Sequence, residues 1–193
     1  MISLPRFAAA AALLLAVVQP AAYADGPASS ALPEPGPAAP GPAAPGLVYA
    51  FSVRVTLAPP VEVGEADGGR RRFIPITGGE IYGPRLHGAV LPGGGDWQTI
   101  LPSGLTRIEA HYFLKADDGS VIEVTNPGVR VASAEVTQRL AKGELVDPAQ
   151  YYFRTAPVFK TGSAAQGWVQ RAVFVGRGIR KPDSVVIDYY EVQ

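Results

Sequence analysis

Glu109 and His111 are the side chains whose types and spacing point most directly to chemistry. They lie two positions apart in the run 107–115, in which apolar and polar residues alternate. In a β-strand such residues share one face, with Cα atoms roughly 6 to 7 Å apart. A carboxylate beside a histidine holds the ring in one tautomer and raises its pKa, as proton transfer requires. If the apolar side chains of this run form the buried face, Glu109 and His111 face solvent instead, and both interpretations stay open.

Asp96 is a third candidate for acid-base catalysis, with a tyrosine as its partner. It follows Gly93-Gly94-Gly95, and glycine backbones adopt turns closed to other residues, which would present Asp96 and Trp97 at the mouth of a fold. In the alternative interpretation, Asp96 accepts hydrogen bonds from its own backbone amides in a turn, and Trp97 plugs one end of the fold.

Six side chains combine aromatic rings with hydrogen-bonding groups and are predicted to bind a small ligand. The predicted walls are Trp97, Tyr112, Phe159 and Trp168, and the groups that would fix its orientation are Arg154 and Gln170. Arg154 shares a strand-like run with Tyr152, and a partly buried guanidinium there needs either a protein carboxylate or an acidic ligand. Trp168 and Gln170 are two residues apart, so on a strand they would share a face.

Composition and spacing disfavour several classes of function. The chain of 193 residues has 17 basic and 17 acidic side chains, so it lacks the positive field of a nucleic-acid or anionic-membrane binder. It has no cysteine, no Gly-x-Ser-x-Gly and two histidines outside any ligand spacing, so we expect no covalent hydrolase, no metal and no cofactor. The basic run Arg70-Arg71-Arg72 beside Asp67-Gly68-Gly69 is typical of a solvated hairpin tip.

The elements that must position these residues are mostly β-strands. Apolar side chains alternate with others in 49–57 and 107–115, and the runs 169–175 and 184–192 are rich in β-branched residues. Turn signals separate the runs, and Asp118-Gly119 is the strongest hairpin signal among them.

A single segment has helical character. It begins with Ser133 as a candidate cap, carries Val136 and Leu140 on one side, and ends before Gly143. Many short strands and one short helix predict an all-β fold, a small antiparallel β-barrel, because closure removes exposed sheet edges. A two-sheet sandwich is the alternative.

The first 46 residues predict an export leader followed by a linker. Residues 1–24 have a basic n-region, an apolar run of 11 residues and Ala22-Tyr23-Ala24 as a cleavage site, typical of a signal peptide. Because a membrane helix needs roughly 20 residues, no stable membrane anchor is expected. Residues 25–46 are rich in Pro, Ala and Gly and predict a disordered linker before a domain at 47–193. The chain is therefore predicted to be exported, and periplasmic or secreted.

Several ordered strings in the predicted domain are more specific than its periodicity. They are Arg71–Gly79, Gly83–Gly88, Leu91–Gln98, Tyr151–Phe159, Thr161-Gly162, Gly167–Val169 and Phe174–Gly176. In order and spacing they resemble the domain of unknown function 3237 family, also described as the UPF-0311 group. The resemblance covers essentially all of 47–193, and it implies a compact β-barrel with a central cavity and little about a reaction.

Three functions are compatible with these observations. The first is an exported barrel that binds a small, partly apolar or aromatic molecule in its cavity. The second is a cofactor-free lyase, isomerase or cyclase that uses Glu109 with His111, or Asp96 with a tyrosine, in the same cavity. The third is a structural or partner-binding module of the cell envelope.

Net charge near zero also permits a homo-oligomer, in which the apolar run 185–192 would pair across subunits if it is a sheet edge.

Overall fold

In residues 41–193 the chain forms an antiparallel sheet of eleven strands, one α-helix and two short 3-10 turns. The structure is a computed structural model and describes residues 41–193, of which 43–193 form a compact unit. The strands are β1 (Leu47–Leu57), β2 (Val61–Ala66), β3 (Gly69–Tyr82), β4 (Gly88–Val90), β5 (Gly95–Ile100), β6 (Leu105–Ala116), β7 (Val121–Val131), β8 (Tyr152–Thr155), β9 (Val158–Thr161), β10 (Phe174–Arg180) and β11 (Ser184–Val192). The helix is α1 (Ala134–Ala141), and the 3-10 turns are Pro148–Gln150 and Gly167–Gln170.

Eight of these strands close into a barrel. Their antiparallel pairs run in the order β1-β3-β5-β6-β7-β8-β10-β11 and return to β1. The remaining strands extend this barrel, since β2 pairs with β3, β4 bridges β3 and β6, and β9 pairs with β7. The predicted barrel is confirmed, and the sandwich is wrong because no break separates two sheets along the paired strands of residues 41–193.

Side-chain alternation decides which residues face the barrel interior. Along β6 every second residue from Thr106 to Ala116 is buried and the others are exposed or half-buried. The predicted hairpin is confirmed, because Ala116 donates its backbone N–H to Ser120 O across the turn at Asp118-Gly119 and β7 then pairs with β6. One core cluster centres on packed aromatic rings, with Phe51 lying 5.1 Å from Tyr189 and 5.8 Å from Phe159 between ring centroids.

The helix closes a second, smaller core cluster. Ser133 accepts a hydrogen bond from Val136 N at 3.2 Å, which satisfies one of the free amides of the first turn. Val136 and Leu140 pack with Ile108 and Phe153 of the barrel. The predicted helix, its cap and its apolar side are therefore confirmed.

Two strand predictions need correction. The run 169–175 is not a continuous strand, because Gly167–Gln170 forms a 3-10 turn and β10 begins only at Phe174. The turn lets Trp168 pack edge-on against Phe51 at 6.1 Å, so tertiary packing overrides the local β propensity. The run 185–192 is a strand but not an edge, since β11 pairs with β1 on one side and β10 on the other.

The predicted signal peptide and most of the predicted linker lie outside the described residues. Residues 41–46 are exposed and carry no strand or helix. Within 41–193, none of the helices has the length and apolar character needed to cross a membrane.

Candidate ligand site

A small cavity lies inside the barrel and is lined by side chains from both core clusters. Its apolar lining comes from Val55, Leu57, Ile76, Ile108, Ala110, Phe153, Val185 and Ile187, and its polar lining from Asp96, Tyr112, Asn126 and Thr155. The cavity volume is about 30 Å³, which is room for about one or two water molecules. An apolar wall with a few convergent polar groups is the usual composition of a ligand pocket.

Three of the polar side chains in this cavity carry buried atoms without a hydrogen-bond partner among the described residues. These atoms are Asp96 Oδ1, Thr155 Oγ1 and both polar atoms of the Asn126 amide, which makes no hydrogen bond of normal geometry within residues 41–193 although it lies close enough to the Tyr112 and Tyr189 hydroxyls to lower their pKa. A buried polar group left unpaired costs about 1–3 kcal/mol of folding free energy, so several in one place are unusual in a core. Their convergence on one cavity marks it as the candidate site.

Asp96 is held at the cavity wall by a chain of hydrogen bonds that begins at Arg72. The Arg72 guanidinium donates to Gln98 Oε1 from Nε at 3.0 Å and from Nη2 at 2.7 Å, and Gln98 Nε2 donates to Asp96 Oδ2. Burial raises the pKa of Asp96. The bond from Gln98, the charges of Arg130 and Arg72 and a backbone hydrogen bond from Glu109 offset only part of this shift. Burial therefore favours the neutral, protonated carboxyl.

A hydrogen-bonded pair of tyrosines lies at the cavity, because Tyr112 is part of its lining and Tyr189 contacts Tyr112. Tyr112 and Tyr189 are fully buried, and their hydroxyl oxygens lie 2.7 Å apart in a hydrogen bond. Burial raises the pKa of both hydroxyls, so both are neutral at physiological pH. Each of these neutral hydroxyls can donate or accept a hydrogen bond, and neither carries a charge.

Three arginines give this region of the barrel a positive potential. Arg130 is 4% exposed and donates to Thr106 Oγ1 at 3.4 Å. Burial lowers the pKa of Arg130 to about 10, and it also lowers the pKa of Arg72 and Arg180. All three remain charged at neutral pH because a guanidinium is not deprotonated in proteins. Within residues 41–193 none of the three belongs to an ion pair. A charge on Asp96 would stabilise the charged forms of Arg130 and Arg180, and the charge of Asp183 acts on Arg180 in the same direction.

A larger groove on the outer face adjoins the cavity. Its volume is about 730 Å³, and its lining includes Glu109, Tyr152 and Arg154. Ile108 and Thr155 line both the groove and the internal cavity. Gly128 pairs with Thr155 there, and the two strands pack so closely that a Cβ at Gly128 would lie 2.6 Å from Thr155 Cγ2.

The structure places Glu109 and His111 outside the barrel. Both are exposed on the outer face of β6, because the apolar residues between them form the inner face. His111 lies beside Trp97, with ring centroids 5.9 Å apart, and Trp97 packs on Phe73 at 4.8 Å. The expectation that Glu109 and His111 form an acid-base pair in the cavity, or that Trp97 is one of its walls, is therefore corrected, since these side chains lie on the solvent side of the sheet.

The other predicted residues separate into two groups. Asp96 and Tyr112 do meet in the cavity, as the pairing of Asp96 with a tyrosine requires, although Asp96 lies in a strand rather than a turn. Arg154 lies in the outer groove, where it donates to Phe153 O at 2.9 Å and its guanidinium lies 5.1 Å from the centre of the Tyr152 ring.

Phe159, Trp168 and Gln170 are outside the lining of the cavity. Phe159 packs within the aromatic cluster, and Trp168 packs on Phe51 while the Arg85 guanidinium covers its ring at 3.8 Å. Gln170 is exposed and donates to Thr161 O at 2.8 Å. The 3-10 turn explains the error, since residues two apart share a face on a strand and not in this turn.

The buried polar residues that sequence reasoning missed include five in or near the candidate site: Arg72, Gln98, Asn126, Arg130 and Thr155. Arg72, Asn126, Arg130 and Thr155 lie at inward positions of strands whose other inward residues are mostly apolar, whereas Gln98 shares the inward face of β5 with Asp96. Arg72 in particular is not part of a solvated tip, because it is buried while Arg70 is exposed. A polar residue in phase with an apolar alternation was the signal available.

Comparison with known proteins assigns the chain to a family. Residues 45–192 match the model described as Protein of unknown function (DUF3237). The chain belongs to this family. It is 42% identical over 144 residues to UPF0311 protein RPA1785 of Rhodopseudomonas palustris, covering 75% of this chain and 94% of that protein. A UPF0311 protein of Clostridium acetobutylicum is 38% identical over 143 residues, covering 74% of this chain and 90% of that protein.

Two solved structures have the same fold as this chain. The structure of RPA1785 gives a TM-score of 0.75 at 41% identity, covering 77% of this chain and 98% of that one. A β-barrel-like protein of Acinetobacter baumannii gives 0.69 at 39% identity, covering 79% and 99%.

Two further similarities involve a fungus, Penicillium herquei. Its hydroalkoxylation enzyme phnH is 34% identical over 79 residues, covering 41% of this chain and 52% of that protein. A solved structure of an enzyme from the same organism gives a TM-score of 0.61 at 24% identity, covering 81% of this chain and 100% of that one, which is a likeness of fold.

Proposed function

We propose that this barrel binds a small, partly apolar molecule whose polar group enters the internal cavity. The observation that carries the proposal is the convergence of unpaired polar atoms of Asp96, Asn126 and Thr155 on one cavity. A ligand that pairs with these atoms recovers hydrogen bonds that folding leaves unmade, which favours binding over the unliganded state.

The cavity volume sets a condition on how the ligand fits. An engineered protein cavity that holds benzene measures about 150 Å³, so a cavity of about 30 Å³ accepts a polar group but not a ring. The adjoining groove of about 730 Å³ supplies the rest of the volume. We place the apolar part of the ligand over Gly128 in the groove, near Tyr152 and Arg154, with its polar group passing the wall formed by Ile108 and Thr155.

A thermal-shift titration of the full-length protein tests binding. Phenols, aryl ketones and simple aromatic hydrocarbons serve as probes, and binding to the folded state raises the melting temperature with ligand concentration. Asn126→Leu fills the cavity with apolar atoms and should abolish the shift, whereas Gln170→Leu, the same kind of change on the outer surface, should preserve it. Equal shifts in both variants would contradict the cavity as the site.

Acid-base catalysis is a second candidate function, and the raised pKa of the Asp96 carboxyl favours it. Hydroalkoxylation, the reaction in the name of the relative phnH, adds an alcohol O–H across a carbon–carbon double bond and therefore needs a proton delivered to carbon. Asp96 is the residue of the cavity suited to deliver it. Cyclisation of 2-allylphenol by the wild type and its loss in Asp96→Asn, followed by chromatography, would support this function; no product above the buffer rate would count against it.

We also propose export of the chain, from the leader-like run in 1–24 and the small-x-small site Ala22-Tyr23-Ala24. The amino terminus of the protein recovered from its native cells should then be Asp25. A recovered amino terminus at Met1 would contradict export by cleavage at this site.

A further inference from the structure

In the hydrogen-bond chain that runs from Arg72 through Gln98 to Asp96, each donor and each acceptor can be assigned. A guanidinium only donates, so Gln98 must turn its carbonyl oxygen toward Arg72, as the contacts of 3.0 Å and 2.7 Å show. The amide NH2 of Gln98 then faces the opposite way and donates to Asp96 Oδ2. The side-chain amide therefore has no freedom to flip.

This orientation distinguishes the two oxygens of Asp96. Oδ2 accepts from Gln98, and a carbonyl oxygen is the better acceptor in a carboxylic acid, so the proton of the neutral acid belongs on Oδ1. Oδ1 is buried, lacks a hydrogen-bond partner among the described residues, and belongs to a side chain that lines the cavity. Burial favours the protonated acid at this position.

The charged groups around Asp96 also restrict what can approach it. Arg72 on β3, Arg130 on β7 and Arg180 on β10 are positive, and Tyr112 on β6 is neutral. A ligand ammonium group would meet a positive potential and a proton donor, and both are unfavourable to it. A ligand oxygen with free lone pairs would meet complementary groups.

We propose that Asp96 presents an O–H donor to the cavity and that the site thereby selects ligands with a carbonyl or phenolate oxygen and rejects amines. The inference rests on the proposed binding function and adds the chemical class of the ligand. Arg72 and Gln98 act as positioning residues, because they direct the proton without touching the ligand.

Three probes of similar shape test the selection: acetophenone, ethylbenzene and 1-phenylethylamine. In titration calorimetry on the full-length protein, acetophenone should bind about tenfold more tightly than ethylbenzene, a difference of one good hydrogen bond. The ammonium form of 1-phenylethylamine should bind more weakly than either.

Two substitutions at Asp96 separate a proton donor from a carboxylate. In Asp96→Asn the amide oxygen can accept from Gln98 while the NH2 donates to the cavity, so the preference for acetophenone should survive. Asp96→Leu should remove that preference. Tighter binding of the amine by the wild type, lost in Asp96→Asn, would mean an ionised Asp96 and would overturn the inference.

Two other binding results would also test the donor role of Asp96 and the proposed function. Equal binding of acetophenone and ethylbenzene by the wild type would overturn the donor role while leaving small-molecule binding intact, whereas no binding of any probe would contradict the proposed function. Infrared difference spectroscopy at pH 7 tests the proton without any ligand: a protonated-carboxyl C=O band should disappear in Asp96→Asn and persist in Asp118→Asn, an exposed aspartate. Absence of this band in the wild type would overturn the inference, and in Gln98→Met the band should shift because Oδ2 loses its donor.

Discussion

Two identical substitutions at buried threonines separate a ligand-site hydroxyl from a structural one. Thr155 and Thr106 are both inside the barrel and almost fully buried. Thr155 Oγ1 has no hydrogen-bond partner among the described residues, whereas Thr106 Oγ1 accepts from Arg130. Replacing threonine by valine keeps the volume and removes the hydroxyl, so the two variants differ chiefly in whether a hydrogen bond is lost.

The expected changes have opposite signs. Thr155→Val removes an unpaired buried group and should stabilise the fold by about 1 kcal/mol, at the low end of the cost of such a group. Thr106→Val leaves the buried Arg130 guanidinium without this acceptor and should destabilise the fold by about 1 kcal/mol, below the usual value for a bond to a charged group because the contact is long at 3.4 Å. For a domain of this size, about 1 kcal/mol corresponds to a shift of about 2–4 °C in melting temperature.

Urea unfolding and thermal melts of the two variants provide the measurement. If Thr155→Val lowers the stability as much as Thr106→Val does, the Thr155 hydroxyl is structural and the argument from unpaired atoms is refuted. Thr155→Val should also weaken the binding of acetophenone, while its fold becomes more stable. A gain in stability combined with a loss of binding is the behaviour expected of a residue retained for a ligand.

Three further predictions follow from the same structure. Because the folded pKa of Asp96 is raised, the native state holds its proton above the unfolded value of about 4, and stability should fall as pH rises from there through the folded pKa. Urea unfolding at several pH values should show a shallower fall for Asp96→Asn, and an unchanged slope would contradict the shift. Phe51→Ala should destabilise the fold by about 3–5 kcal/mol in the same assay, because Phe51 is fully buried among aromatic rings; a loss below about 1 kcal/mol would contradict a tightly packed cluster. His111→Ala should leave acetophenone binding and any turnover of 2-allylphenol unchanged in calorimetry and chromatography, and a clear loss of either would return His111 to the site.

The predictions from sequence succeeded where local pattern and tertiary packing agree. Alternation in 49–57 and 107–115 gave strands, Ser133 with Val136 and Leu140 gave the helix, and Asp118-Gly119 gave the hairpin. They failed at 169–175, where Trp168 packs on Phe51 from a 3-10 turn despite the β-branched residues around it. Packing between distant residues is not contained in a local window, so no pattern within that run could indicate the turn.

The candidate site was harder to predict because face assignment depends on strand register. The apolar residues of β6 determine that Ala110 faces inward and that Glu109 and His111 face outward. In an antiparallel pair, directly opposite residues lie on the same face of the sheet. Asp96 lies opposite Ala110, and Trp97 lies opposite Glu109. Because Ala110 faces inward, the register places Asp96 on the inward face as well. The neighbours of Asp96 in the sequence are three glycines and a tryptophan, which show no alternation from which this orientation could be predicted.

Strand register also explains why other polar residues of the interior face inward. Asn126 also lies opposite Ala110, on the other side of β6, so one small residue has Asp96 and Asn126 as its two cross-strand neighbours. Thr155 lies opposite Gly128, two residues beyond Asn126 on the same inward face of β7. Small residues at these positions leave the volume in which the unpaired atoms meet. The cavity is thus a consequence of which strands pair and in what register, and its chemistry is a consequence of the polar residues placed beside Ala110 and Gly128.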